Sequence, residues 1–196
     1  FPGTLGERRT QVAMAQLFAG TSGYSYPKWK PDFYPQKLAA KKFLEHYATR
    51  LNAVEINYTF RRTPAESTLE NWVNVTDDNF RFCIKAHQRI THLKRLKDVK
   101  EPTEFFLRSI DPLRVTGRLG VVLYQLPPNL KCDTERLATF LGDLPTNMRH
   151  AFEFRHESWF DEAVYALLKQ HNVAVCLAES EKLEIPEVLT ADFVYF

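Results

Sequence analysis

Within Phe152–Trp159, "FEFRHESW", the ionisable residues Glu153, Arg155 and His156 interrupt what otherwise reads as a buried strand running into a helix. Three other apolar runs carry polar groups toward their C-terminal ends: Glu55 and Asn57 in "AVEIN", Lys85 and His87 in "FRFCIKAH", and Gln125 in "LYQL". An unpaired charge inside a core is costly, so such groups belong where they line a pocket and find partners. Two carboxylates, a lysine and an arginine around one pocket suit proton transfer on an anion. Glu55 and Glu153 would be the acid and base, Lys85 and Arg155 would stabilise negative charge, and His92 or His156 would assist. The set reads as an enzyme for a small anionic ligand, phosphorylated ligands included, with hydrolase, lyase and isomerase chemistry all open. Glycoside hydrolysis also uses two carboxylates, at a separation that a sequence does not supply. A ligand-binding protein without turnover fits the same residues.

The loop "GTSGYSYPKWK" (Gly20 to Lys30) adds two glycines that let backbone N–H groups approach a ligand, hydroxyls, and three aromatics. Thr21, Ser22, Gly23 and Tyr24 are its candidate ligand contacts, although a tight strand-to-loop turn explains the glycine spacing equally well. Ser158 reads as the cap of a helix, which places Arg155 and His156 beside the positive end of a helix dipole, a favourable place for an anion. A divalent metal on Glu55, Glu153 and a histidine is an alternative that Lys85 and Arg155 weaken, because they already balance the carboxylates. No nucleophile elbow surrounds Ser22 or Ser25, and no Rossmann fingerprint or Walker loop implies a nucleotide cofactor.

These residues need strands to hold them, and the chain supplies an alternation of short apolar runs with segments of helical period. Strands are expected at 16–20, 53–57, 80–86, 119–126, 150–154, 173–178 and from 192. Helical faces lie between them: Phe43, Leu44, Tyr47, Ala48 and Leu51; a helix begun by the capping box Thr63-Pro64-Ala65-Glu66; one helix over Phe105 to Leu113; Leu137, Phe140, Leu141 and Leu144; and Phe160, Val164, Leu167 and Leu168 behind Ser158. Seven strands without a hairpin signal argue for a parallel sheet, and consecutive right-handed βα units close most naturally into a barrel. Barrels of this kind take about 250 residues, so the expectation is an α/β, TIM-like (β/α) barrel incomplete at its C-terminal end, with a doubly wound open sheet as the alternative. Residues 1–15 read as a poorly ordered leader and 16–196 as a single barrel domain.

Side chains alternate along a strand, so parity assigns faces. Ala53, Glu55 and Asn57 share one side; so do Cys83, Lys85 and His87; Val121, Leu123 and Gln125; and Ala151, Glu153 and Arg155. Val54, Ile56, Phe82, Ile84, Phe152 and Phe154 take the other side and should meet helices. The polar set then converges on one rim, where barrels and open α/β sheets place their sites. The alternative is a structural ion-pair network of Glu55, Lys85, Glu153 and Arg155 that plugs the barrel.

Six stretches in order, "GTSGYSYPKW" (from Gly20), "FYP" (from Phe33), "VEINYTF" (from Val54), "FRFCIKAHQRITH" (from Phe80), "LYQLPP" (from Leu123) and "FEFRHESW" (from Phe152), resemble the YecE-like family, domain of unknown function 72. The resemblance spans about residues 17 to 196. It implies a TIM-barrel-like fold and points to Gly20, Thr21, Ser22, Gly23, Glu55, Asn57, Lys85, His92, Gln125, Glu153, Arg155, His156 and Trp159. It names no reaction. Members continue past "DFVYF" into an arginine-containing rim segment, which this sequence lacks.

Composition sets the remaining bounds. An apolar fraction of 44% with 13% aromatics supports a core, which excludes a disordered chain. With 26 basic against 24 acidic residues, net charge gives no sign of a nucleic-acid surface. The segment 87–100 does hold five basic residues against one aspartate, and Arg61 and Arg62 follow the second strand. It reads first as a solvated helix face and second as a grip on anionic ligands or nucleic-acid phosphates. No apolar run spans a bilayer and the opening stretch "FPGTLGERRTQVAMAQ" lacks the apolar run of a signal peptide, so a cytoplasmic location is expected and no membrane partner. Cys83, Cys132 and Cys176 show no CxxC spacing; Cys83 and Cys176 are expected to be buried, unpaired thiols.

Overall fold

The computed structural model describes residues 15–181 and 183–196. The expected leader, residue 15 excepted, lies outside them. Six strands form one sheet: β1 (Gly20–Ser22), β2 (Ala53–Ile56), β3 (Arg81–Lys85), β4 (Leu119–Gln125), β5 (His150–Glu153) and β6 (Ala174–Val175). All neighbouring pairs are parallel, and the spatial order is the sequence order, β1 to β6. A doubly wound sheet would reverse its order at a switch point; this one does not.

The helices are α1 (Phe43–Ala48), α2 (Glu66–Asn74), α3 (Lys100–Ser109), α4 (Asp111–Val115), α5 (Thr134–Gly142) and α6 (Glu162–Gln170). Their buried side chains join Val54, Ile56, Phe82, Ile84, Val122, Tyr124, Phe152 and Phe154 in one large apolar cluster. A second cluster, on the opposite face, holds Val121, Leu123, Ala151, Ala174 and Cys176, with Cys83, Phe193 and Tyr195 packed against it and no helix residue in it. The period of two thus sorts β2 to β5 as parity predicts, with the helices on one side.

The sheet is open, which differs from the expected seven-stranded barrel. The stretch from Asp192 contributes an isolated bridge, Cys176 to Tyr195, and no seventh strand. Tyr195 nevertheless reaches across the inner face: its hydroxyl donates to Glu55 on β2 over 2.6 Å. A cavity of about 1300 Å³ opens on this face, bounded by Ser22, Glu55, Cys83, Val121 and Tyr195 and running to Arg81, Arg149 and Phe193 at the N-terminal strand ends.

Local signals were overridden in five places. The first strand begins at Gly20 and not at Gln16, and Leu17 is exposed. Thr63 caps nothing: Pro64 is buried by packing, and α2 starts at Glu66 behind an extended Ala65. The single helix expected over 105–113 is two, α3 and α4, with the break at Ile110 just before Pro112. Ser158 does not cap α6; Asp161 does, accepting from Ala163 N–H at 2.8 Å, while Ser158 Oγ accepts from Cys132 N–H. Segment 87–100 is not a solvated helix face. It makes one wide turn at Arg89–Leu93, then reverses through Arg95, Leu96 and Asp98 at positive φ, and it is pinned by buried Ile90, Leu96 and Val99.

Candidate functional site

The site sits at the C-terminal ends of β2 to β5 and begins with a close strand approach. A Cβ on Gly20 would meet Ala53 O at 2.0 Å, so only glycine lets β1 and β2 pair there. Gly23, at φ +85, then turns the chain off β1, and a Cβ on it would strike the Tyr26 hydroxyl that binds Ser22 O. This leaves Ser22 beside Glu55, its register partner on β2.

Three donors hold the Glu55 carboxylate. Ser22 Oγ and Asn57 Nδ2 reach Oε1 at 3.0 and 2.9 Å, Asn57 also donates to Ser22 Oγ, and Tyr195 reaches Oε2. Glu153 has two: Gln125 Nε2 on Oε2 and Arg155 Nε on Oε1, each at 2.7 Å. The Glu153–Arg155 ion pair is half exposed on the arginine side, and no other hydrogen bond engages the Arg155 guanidinium among the described residues.

Lys85 lies between them in strand order. Thr59, fully buried, ties the two strand ends together by donating to Ile56 O and Lys85 O. Lys85 Nζ stands over the Phe60 ring, 5.2 Å from its centre. Among the described residues it has no carboxylate within 4.0 Å and no hydrogen-bond partner. Burial lowers the lysine pKa; Glu153 and Glu55 oppose that shift from a distance, and Arg155 adds to it. His92 packs edge-on against the same Phe60 ring and bonds Thr91. Its pKa is lowered too, by burial first and then by Lys85, Arg155 and Arg95.

Glu55, Asn57, Ser22, Lys85, Gln125, Glu153, Arg155 and His92 are therefore brought to one end of one face. Four sequence candidates are not. Thr21 faces the helices and bonds the Tyr47 hydroxyl. Tyr24 packs against that outer cluster, and its carbonyl accepts from the Tyr34 hydroxyl. Trp159 is buried there, stacked on Phe154 with its indole N–H on Leu130 O. His156 accepts from Ser158 N–H to cap a single tight turn, Glu157–Trp159, so the helix-dipole setting expected for Arg155 and His156 is not formed. Gly23 acts through its turn. Two residues escaped the sequence reading: Tyr195, whose alternation with Phe193 was the available signal, and Phe60, for which no spacing gave one.

The four-member ion-pair plug is not formed, since Glu153–Arg155 is its one pair within 4.0 Å. Among the described residues no three His, Cys, Asp or Glu side chains converge as a metal ligand set. All three cysteines are free thiols; Cys176 is buried, whereas Cys83 is only partly so, because it borders the open inner cavity. Burial pushes the Cys83 thiol up to about 11, well away from a reactive thiolate. The large cavity reaches Ser22 and Glu55 but is not lined by Lys85, Gln125 or Glu153.

The order of motifs, the sequential parallel sheet and the geometry of its rim can now be compared with known proteins. The profile of the family described as "Protein of unknown function DUF72" matches residues 18–196. The chain belongs to the DUF72 family. Among curated DUF72 relatives, the UPF0759 protein YunF of Bacillus subtilis (strain 168) is 32% identical over 142 residues, covering 67% of this chain and 49% of its own length. The UPF0759 protein YecE of Escherichia coli (strain K12) is 31% identical over 145 residues, 74% of this chain and 50% of its own. The chain spans about half the length of these relatives. A DUF72 crystal structure from Thermotoga maritima MSB8 superposes with a TM-score of 0.81 at 32% identity, over 91% of this chain and 72% of that one. One from Enterococcus faecalis V583, at 19% identity, shares the fold with a TM-score of 0.72 over 89% of this chain and 66% of that one. No helix among the described residues is long and apolar enough to cross a membrane.

Proposed function

We propose that the rim at the C-terminal ends of β2 to β5 binds a small anionic ligand and carries out proton-transfer chemistry on it. The observation that carries this reading is Lys85: a half-buried ammonium with no counter-ion in contact among the described residues, with one carboxylate on the neighbouring strand β2 and another two strands away on β5, both with donors of their own. A positive group held this way is a ready partner for an incoming anion, with the free nitrogens of Arg155 as the second. Glu55 and Glu153 are the proton carriers and His92 assists. The reach of Tyr195 to Glu55 across the inner face supports the further proposal that residues 16–196 form a single (β/α) barrel domain. Its three free thiols suit the reducing cytoplasm.

Thermal-shift measurements with a panel of carboxylated and phosphorylated metabolites test the reading. An anion that raises the melting temperature of the wild type should lose that effect in Glu153→Gln and in Arg155→Ala. An equal shift in all three proteins would place the anion elsewhere. A second reading has its own observation: Arg89, Lys94 and Lys97 are exposed on the 87–100 segment beside Leu93, which is 71% exposed. That surface would hold nucleic-acid phosphates, and oligonucleotide binding that falls steeply with salt would favour it.

A further inference from the structure

Among the described lysines, Lys30 and Lys85 both sit half-buried over an aromatic ring, Phe43 and Phe60, and of these two Lys85 stands at a strand end between two carboxylates. Lys42 and Lys100 are ion-paired to Glu45 and Asp143, and Lys28, Lys41 and Lys169 are exposed to solvent. Lys85 has no such partner. Its Nζ rests on the face of an aromatic ring at the end of a strand, with Glu55 and Glu153 on either side and neither in contact. The groups that face it are those two carboxylates, Arg155 and His92. A lysine desolvated in a partly apolar setting beside other cations is the arrangement that turns an amine from a point charge into a nucleophile.

We propose that Lys85 forms an imine with the carbonyl carbon of a small oxo acid whose carboxylate is held by Arg155. The inference rests on the anionic-ligand reading above and names the substrate class: a carboxylate bearing an aldehyde or ketone. The free amine Nζ attacks the carbonyl carbon, and the C=O π pair moves to oxygen, which takes a proton. Nζ gives up one of its protons, yielding a neutral carbinolamine. The C–O bond then breaks as the oxygen takes a second proton and leaves as water, while the nitrogen lone pair forms C=N. Loss of the remaining N–H proton returns what was borrowed, so amine plus carbonyl gives imine plus water, with no oxidant, reductant or cofactor. Glu55 and Glu153 flank the nitrogen as the groups that accept and return protons. Tyr195, already donating to Glu55, links that carboxylate to a second hydroxyl.

Reductive trapping tests this on the whole chain. Glyoxylate and sodium cyanoborohydride are added at neutral pH, and the alkylated lysine is located by peptide mass spectrometry; acetaldehyde serves as the uncharged probe. The expected result is a dominant carboxymethyl adduct on Lys85, weaker trapping with acetaldehyde, and loss of that adduct in Lys85→Arg. Adducts spread over Lys28, Lys41 and Lys169, with none enriched at Lys85, would overturn the proposal, and wild-type mapping alone decides this if the variant fails to fold. Glycolate, which has no carbonyl, separates the two readings by thermal shift. A glycolate shift without trapping at Lys85 sinks the imine and leaves anion binding standing. Equal trapping of both probes at Lys85 with no glycolate shift supports the amine nucleophile and sinks the anionic substrate.

Discussion

On the helix-facing side of the sheet, Phe82, Tyr124, Phe152 and Phe154 are fully buried among stacked and edge-on rings. One residue along the same strands, on the other side, stand Cys83, Lys85, Gln125 and Glu153: Cys83 borders the open cavity, Gln125 donates to Glu153, and Lys85 Nζ has no ion partner among the described residues. The outer face is large, dry and interlocked, and its side chains contribute by removing apolar area from water. The inner face is smaller: Val121, Leu123, Ala151, Ala174 and Cys176 form a minor apolar cluster, and only its rim end is polar and charged. The difference shows that a packed apolar face and a polar rim can share each strand without sharing residues, so substitutions on the two faces should separate folding from the proposed binding.

The largest effect should come from the outer face. Phe152, with no exposed surface, stacks on Tyr124 and Phe154 and meets Phe140 edge-on. Phe152→Ala should cost about 3–5 kcal/mol in urea unfolding, while any anion shift at the rim persists in the folded fraction. A cost below about 1 kcal/mol would break the comparison.

His150, on the same outer face and 3% exposed, comes next. Burial outweighs its bond to Pro145 O and holds its pKa down to about 4. Because the folded value lies below the unfolded one, its contribution is complete above about pH 6.5 and is lost as pH falls toward 4. The loss amounts to about 3 kcal/mol. Unfolding curves at pH 7 and pH 4 should show that difference in the wild type and a flatter response in His150→Gln, whose amide can still donate to Pro145 O.

Glu153→Gln sharpens the contrast from the inner side. The new amide can accept from Arg155 and donate to a flipped Gln125, so the expected loss of stability is about 1 kcal/mol, with anion binding abolished. A loss of 3–5 kcal/mol with binding retained would return Glu153 to a structural role.

The smallest effect is at Lys85. Its lowered pKa means that the folded state carries a desolvated charge at neutral pH, and that cost fades as pH rises through the folded value toward 10.5. Lys85→Met should therefore be more stable than the wild type at pH 7 by a few tenths of a kcal/mol, given the lysine's partial exposure, and the gap should narrow at high pH. A wild type more stable than the variant at pH 7 would contradict this.

What was legible in the sequence was whatever depends on a short period. Alternation along "AVEIN", "FRFCIKA" and "HAFEF" placed Glu55, Lys85 and Glu153 on one face, because a one-residue error would invert every side chain. What failed was whatever depends on competition between neighbours. Thr63 and Ser158 are good caps in isolation, yet Pro64 was taken by the core and Asp161 stood closer to the start of α6. The basic segment 87–100 carries helix-forming lysines, but buried Leu96 and Val99 draw it into a reversal that needs positive φ at three non-glycine residues, which composition does not announce. Tyr195 was missed because its partner, Glu55, lies far away in the chain.

That distance gives the site an order of assembly. Ser22 meets Glu55 across 33 residues and Gln125 meets Glu153 across 28, spans that successive βα units can close one after another as the chain leaves the ribosome. Tyr195 meets Glu55 across 140. Closing that contact directly costs only about 1.4 kcal/mol more than closing a loop of about 30 residues, so the delay is set by synthesis and not by loop entropy. A nascent chain can thus hold most of its aromatic core while the Glu55 carboxylate still lacks its Tyr195 donor, and that end of the sheet's inner face is completed late, when the scaffold beneath it is already in place.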